Sequence, residues 1–428
     1  MAGQRKARRN AGRRILVLAA AAFSLMLGAT PAAAARPGSL DRGFSKDGLA
    51  TERLIQGKSG SVPGLVVQPD GRAVLAAGDR IVRYRRNGRR DRSFSVRHAP
   101  VLDLAEGPDG DLIRLAKGEI ERLLPDGEPD PSFGDAGDGR VSVPGLQLLA
   151  VAVDSAERIV LVGRDPEAHR LVVARLLPDG KPDPGFGTLG TVRTAASAAT
   201  PANLDVARAV AVAPDGSILV GGSAGQAEEC PVGALHCWGP YLDAVVLRYL
   251  PDGRLDQGFG KGGIFWGDDS WGSARSVVAR PRGGVLFIPG GPTGAVEPGG
   301  GPHVTAVALT VSGEAELSFG DVGSAYSFER LWRALASPNA SQLVVDAAGR
   351  TLICGEMEGS HRGLFLLAML WRNGEPARTF GRNGLVVTRI SREAGGRSGA
   401  EALALAPRHK VYVAGQAGGK LFLARYRF

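Results

Sequence analysis

Short apolar runs alternate with polar turns along almost the whole chain, and none carries the three-to-four spacing of an amphipathic helix. Runs such as "RAVAVAP", "SILVGG", "VVLRYL" and "EALALAP" read as strands of a few residues bounded by Gly and Pro. Between the first two runs of a unit lies a tight turn, "PDG" at Pro69–Gly71, Pro108–Gly110 and Pro214–Gly216. Proline presets its backbone angle, aspartate bonds neighbouring amides and glycine takes the left-handed conformation, so this tripeptide between apolar runs predicts a hairpin. A third run closes with "PDG" or "RNG", and a phrase such as "LDQGFGKGGI" (Leu255–Ile264) leads into a fourth. The phrase recurs at Phe44, Phe94, Phe133, Phe186, Phe259, Phe319 and Phe380.

A period of roughly 40 to 70 residues built from short strands predicts a propeller. The first phrase has no three strands before it, and the last three strands, ending at Phe428, have no phrase after them. The fold expected from this pattern is an all-β, seven-bladed β-propeller with four antiparallel strands per blade, its ring closed by the N-terminal strand.

Comparing the repeats with one another exposes a pairing. Three residues before each Phe stand Asp41, Asp91, Asp130, Asp183, Asp256 and Glu316, but Ala377 in the last unit. Eight residues before Asp91, Asp130, Asp183 and Asp256 stand Arg83, Arg122, Arg175 and Arg248; before Glu316 and Ala377 the same position holds Ala308 and Met369. Arginine and aspartate come and go together, and ring closure would set Asp41 beside Arg425. Five Arg–Asp pairs are therefore expected, each tying a third strand to the turn that follows it.

The repeat, with its "LDxxFGxxGxVxT", "VAVQPDGRIVVAG" and "VARYxPDG" pattern, resembles the delta-60 repeat family of exported bacterial proteins. The resemblance covers nearly all of residues 36–428; it is strong around Phe133, Phe186, Phe259 and Phe380 and worn around Phe94 and Phe319. It implies a propeller-like repeat and secretion, and it brings no catalytic residues.

Composition changes the picture mainly through residues 1–35. A basic head, the apolar run "ILVLAAAAFSLMLG" and a small-residue end read as a secretory signal peptide, followed by a single propeller domain over 36–428. Six of the 52 basic residues and none of the 43 acids lie in that leader, which leaves 46 against 43, a charge of +3 instead of +9. A nucleic-acid partner inferred from net charge loses its basis. The expected protein is secreted or envelope-associated, monomeric and without a membrane span after processing. Cys230 and Cys237 are a candidate disulfide, and Cys354 in "RTLICG" reads as an inert core thiol.

Strand alternation puts the two–three and four–one connections on one face, and the long insertions fall there. Function tends to sit on such loops, so Trp238, Trp266, Asp268, Asp269, Trp271 and Trp332 are the candidate ligand contacts. His169, His236, His303 and His361 lie in two–three loops of successive units and read as surface residues. No catalytic motif, metal-ligand spacing or phosphate-binding loop occurs, so neither a metal nor a cofactor is expected. The expected function is an exported module that binds a glycan, a peptide or a surface protein. The alternative is a polysaccharide hydrolase or lyase on the same face.

Overall fold

Each repeat of the sequence becomes a short antiparallel sheet. The computed structural model describes residues 36–53, 62–95, 97–98, 100–197, 205–226, 241–267, 272–290, 306–320, 338–357, 364–390, 399–417 and 420–428. The chain divides into two units, Met1–Arg36 and Pro37–Phe428, and every described residue except Arg36 belongs to the second. Among the described residues there is no helix.

The first sheet holds β2 (Gly64–Val67), β3 (Ala73–Ala77), β4 (Arg80–Tyr84) and β5 (Arg97–His98). The second holds β6 (Asp103–Glu106), β7 (Leu112–Ala116), β8 (Glu119–Leu123) and β9 (Arg140–Ser142). The third runs β10 (Gln147–Val153), β11 (Ile159–Asp165), β12 (Arg170–Leu176) and β13 (Thr191–Thr194). The fourth runs β14 (Val206–Val212), β15 (Ile218–Gln226), β16 (Tyr241–Tyr249) and β17 (Ile264–Trp266). The fifth has three strands among the described residues, β18 (Ala274–Ala279), β19 (Val285–Pro289) and β20 (Val307–Leu309).

The remaining strands form one eight-stranded sheet. It contains β21 (Pro338–Val345), β22 (Thr351–Met357), β23 (Leu364–Leu370), β24 (Leu385–Arg389), β25 (Gly399–Ala406), β26 (Lys410–Ala417), β27 (Lys420–Arg427) and β1 (Leu49–Arg53). Here the expectation of seven four-stranded blades fails. The architecture is an all-β propeller of five separate blades and one larger sheet. The merger occurs where Glu356 of β22 pairs with Gly399 of β25. Gly399 has no side chain to hold the strands apart: a Cβ there would lie 2.5 Å from that of Glu356. At the far edge of this sheet β1 pairs with β27, from Leu49 opposite Ala424 to Arg53 opposite Lys420.

The first strands touch one another in a cycle, β2–β6–β10–β14–β18–β21–β25–β2, and so surround the axis. Apolar clusters fill each gap between successive sets of strands; one joins Phe44, Tyr412 and Leu423 to Leu65 and Val82. The recurring phenylalanines are all buried at 2% exposure or less.

Backbone bonds then lock each phenylalanine to its neighbour. The residue after Phe donates its N–H to the three–four turn of the next set of strands: Ser45 to Asn87, Ser95 to Asp126, Gly134 to Asp179 and Gly187 to Asp252. The series continues with Gly260 to Ser312, Gly320 to Asn373 and Gly381 to Pro37. The glycine of the receiving turn lies against the donor's ring. At Gly180, with φ +89°, a Cβ would come within 3.0 Å of the Phe133 ring. The face carrying the short turns is thereby stitched round the circuit.

Five of the seven first strands carry a β-bulge at one repeated position: Leu149, Arg208, Arg275, Ser341 and Glu401 are the extra residues. In four of the five cases glycine stands opposite on the second strand, at Gly163, Gly222, Gly355 and Gly415. The bulge brings a carbonyl so close that a Cβ at Gly415 would lie 2.0 Å from the Gly399 oxygen. This explains why second strands end in glycine.

Candidate functional site

The charged side chains divide into three groups: a turn face where they are paired, a buried network in the second blade, and a mouth on the long-loop side where two arginines stand without ion-pair partners among the described residues.

On the turn face the third-strand arginines meet the acids that precede the phenylalanines. The separations are 3.0 Å for Arg83–Asp91, 3.2 Å for Arg122–Asp130, 2.7 Å for Arg175–Asp183, 3.4 Å for Arg248–Asp256 and 2.8 Å for Arg425–Asp41. Each carboxylate also accepts the N–H two residues on, as Asp183 does from Gly185 at 2.8 Å, and so sets the turn. The sequence does not announce the third contact. Each arginine donates Nη1 to a carbonyl in the next three–four turn: Arg122 to Pro178 (2.9 Å), Arg175 to Pro251 (2.5 Å), Arg248 to Val311 (3.2 Å), Arg425 to Arg86 (2.6 Å) and Arg83 to Pro125. The guanidinium carbons of Arg83, Arg175 and Arg425 lie 4.8, 4.5 and 5.0 Å from the centres of Phe94, Phe186 and Phe44. These arginines bridge neighbours.

The two exceptional repeats keep part of this device by other means. Where the third strand carries Ala308, Arg280 enters from the one–two turn, bonds Glu316 and the Arg372 carbonyl (3.2 Å), and covers Phe319 at 5.5 Å. Where it carries Met369, Ala377 takes the place of the acid, and both are buried apolar residues. Nearby, Arg350 lies 4.9 Å from the ring centre of Phe428.

Crevices open between successive turns on this face. The larger, about 710 Å³, is lined by Arg280, Thr310, Glu316, Ala347, Arg372 and others. The equivalent crevice beside Gln68, Arg83 and Pro125 is about 270 Å³. The former lacks a third-strand arginine, and Ala347 and Ala348 line it with small side chains, which accounts for its size.

The second blade holds charge where the others hold hydrocarbon. Arg114, 2% exposed, opposes Glu121, fully buried, across β7 and β8. Its Nε lies 2.7 Å from Glu121, its Nη2 2.5 Å from Glu119, and its Nη1 donates to the Pro100 carbonyl at 2.8 Å. The positions that match Arg114 carry Leu75, Leu161 and Val220 in other repeats. On β6, burial raises Asp103 to about 6 although it accepts Val151 N–H at 2.9 Å. Burial, with Asp111 and Asp70 adding repulsion, raises Glu106 from 4.5 to about 8.

That shift makes a prediction. A carboxyl raised in the folded state supports folding below its unfolded value and loses that support as pH rises through the folded one. Stability should therefore fall between about pH 4.5 and 8. Glu106→Gln should flatten the urea midpoint over that range; an unchanged slope would show that Glu106 does not titrate there.

The long-loop mouth is built by the bulges. Arg208 and Arg275 occupy the bulge position of the adjacent first strands β14 and β18, and both are exposed between buried neighbours. Desolvation lowers Arg208 from its ordinary value, and the charge of Arg275 lowers it further. Further round, Glu401 accepts Val62 N–H at 2.7 Å and Gln416 Nε2 at 3.0 Å.

Of the sequence-derived ligand contacts, Trp266 lies in β17 opposite Val245, half-buried against the cluster between the third and fourth blades. Trp238, Asp268, Asp269, Trp271 and Trp332 lie outside the described residues, as do Cys230, Cys237, His236, His303, His361 and the leader residues 1–35. His169 lies in the β11–β12 turn, with Arg164 Nη2 3.0 Å from its Nδ1. Cys354 is free and buried; its thiol donates to the Ala400 carbonyl at 3.7 Å, and burial pushes it well above its ordinary range. Among the described residues no group of three or more acids, histidines and cysteines could hold a metal. The bulge arginines escaped sequence reading because an arginine on a strand gives no sign of which way a bulge turns it.

Residues 158–186 match a family described as a domain of unknown function (DUF5122) beta-propeller. The matched stretch is part of one repeat, from β11 through Arg175 and Asp183 to Phe186. No curated protein matches the sequence. Among solved structures, a chain of the mitotic checkpoint complex is similar at a TM-score of 0.51 and 11% identity, covering 94% of this chain and 96% of that one. YCF48 bound to D1 peptide gives 0.46 and 10%, covering 92% and 99%. The PQQ-bound aldose sugar dehydrogenase of Streptomyces coelicolor gives 0.41 and 15%, covering 91% and 100%. At 11% identity the first of these likenesses speaks to the fold alone, and the other two, at TM-scores below 0.5, carry no argument.

Proposed function

We propose that this protein is an exported propeller of delta-60-type repeats that binds an extracellular glycan, peptide or surface protein with its long-loop face. The observation that carries the reading is the asymmetry of the two faces. One is stitched by the bonds from each Phe phrase to the next turn and by the bridging arginines. The connections after the second and fourth strands all leave from the other, including 227–240, 291–305 and 391–398. A rigid base with variable loops opposite is the arrangement that binding proteins use. Glu401 is the one carboxylate among the five bulge residues, whereas glycosidic chemistry needs two carboxyl groups about 5 to 10 Å apart. That favours binding over hydrolysis.

The test is thermal unfolding of residues 36–428 against cell-wall glycans, plant polysaccharides, peptides and divalent ions. A ligand at 100 times its dissociation constant adds about 2.7 kcal/mol of stability. We expect a shift with one class that Trp238→Ala, Trp271→Ala or Trp332→Ala reduces. A shift reduced instead by Arg282→Ala on the turn face, or no shift with any class, would overturn the reading.

A further inference from the structure

The third-strand arginines of the repeats are occupied. Arg83, Arg122, Arg175, Arg248 and Arg425 each hold a carboxylate and a carbonyl. Arg208 and Arg275 differ. Neither makes an ion pair or a side-chain hydrogen bond among the described residues, and both stand at the bulge of neighbouring first strands. The residues on either side are buried, Ala207 and Ala209 for one and Ala274 and Ser276 for the other, so the bulge alone turns each arginine out. The stem of Arg275 lies over Gly290, where a Cβ would come 2.0 Å from Nε, so that side chain fits only beside glycine. Desolvation lowers Arg208 below its ordinary value, and repulsion by the charge of Arg275 adds to it. Two guanidinium groups set side by side on hydrogen-bonded strands, without a counter-charge in the described structure, cost stability unless something anionic joins them.

Deepening the binding reading above and resting on it, we propose that Arg208 and Arg275 form a clamp at the long-loop mouth for the carboxylate of an acidic sugar, such as a uronate. Planar guanidinium forks match a carboxylate through paired N–H bonds. Both arginines sit on strands, so the backbone positions from which they reach are fixed. A carboxylate attached to a pyranose ring loses less conformational freedom in meeting it than one on a flexible peptide side chain.

The experiment uses residues 36–428, with titration of trigalacturonate, its methyl ester and a tri-aspartate peptide into wild type, Arg208→Gln, Arg275→Gln and the double variant. Trigalacturonate should bind wild type, and each single substitution should weaken it roughly tenfold to a hundredfold, the worth of one charged hydrogen-bonding group. The ester should not bind. Without ligand at low salt, the double variant should unfold at a higher temperature than wild type, since a repulsion is gone; a structural pair would give the opposite shift. Equal binding of the ester, retention of affinity in the double variant, or a lower unfolding temperature without ligand would each overturn the clamp. Arginine-dependent binding of the peptide alone would overturn the sugar assignment. Binding of a neutral glycan on the long-loop face with no effect of either arginine would sink the clamp and leave the binding reading standing.

Discussion

Asp41→Ala should cost about 3 to 5 kcal/mol in denaturant unfolding, the usual penalty for stranding buried charge. Asp41 is fully buried, and three cations converge on it: Lys410 Nζ at 2.8 Å, Arg425 Nη2 at 2.8 Å and Arg427 Nη2 at 2.7 Å. It also accepts the Gly43 N–H at 3.2 Å. Its removal leaves Arg425, 5% exposed, facing the Tyr412 hydroxyl and the Arg86 carbonyl with no counter-charge. The effect should be larger than at Asp256, which is more exposed than Asp41 and whose arginine also meets Asp215. The Asp41 carboxylate further ties the segment before β1 to β27, through Arg425 and Arg427 of that strand. Loss of the side chain should therefore raise amide exchange across Leu49–Arg53 before the rest of the propeller opens. The pH dependence has a definite sign. Burial opposes the charged form, but Lys410, Arg427 and Arg425 outweigh it and hold the carboxyl well below its ordinary 3.8. Its contribution is present above that value and is lost as pH falls toward the folded one. The gap between wild type and Asp41→Ala should close on acidification below about pH 4. A gap that stays constant would show that the charge does not contribute.

Arg114→Leu should be the second large loss, again about 3 to 5 kcal/mol, because it leaves Glu121 in the interior with Arg140 (3.2 Å) as its main remaining cation. The same chemistry predicts a rescue. Other repeats place Leu75 opposite Val82, and Leu161 opposite Ala174, where this one has Arg114 opposite Glu121. Arg114→Leu with Glu121→Val should recover most of the loss, since a buried ion pair is often no better than hydrocarbon of similar volume. Urea unfolding of the two single variants and the double variant measures this directly. A double variant no more stable than Arg114→Leu would mean that Glu119 and Arg140, which share the network, need the charged pair in place.

Seven near-copies of one unit make this chain unusually readable, because each copy is a trial of the same structural solution. Strand positions, tight turns and the burial of every phenylalanine follow from local chemistry: alternating apolar residues, proline at a turn, glycine where φ is positive. The eight-residue separation of arginine and acid is likewise written in the chain, since it spans one strand end and one turn. Where a copy departs from the pattern the reading weakens. With Ala308 on the third strand, Glu316 is paired by Arg280, which comes from the one–two turn, 28 positions before Ala308, and occupies the same space over Phe319.

By itself the sequence determined the all-β repeat, the order of strands and turns, and the residues that fill the gaps between sheets. These depend on interactions within one unit or between a unit and the next, and repetition prints them several times. The tertiary structure alone decided how the sheets are partitioned. Five stand apart and the rest join through the pairing of Glu356 with Gly399, at a close approach that the glycine permits. It alone decided that the bridging arginines reach a neighbouring turn as well as an acid. It alone turned Arg208 and Arg275 toward solvent, because a bulge reverses the alternation of a strand at one residue. The energy that selects these features comes from residues far apart in the chain, and no local pattern records it.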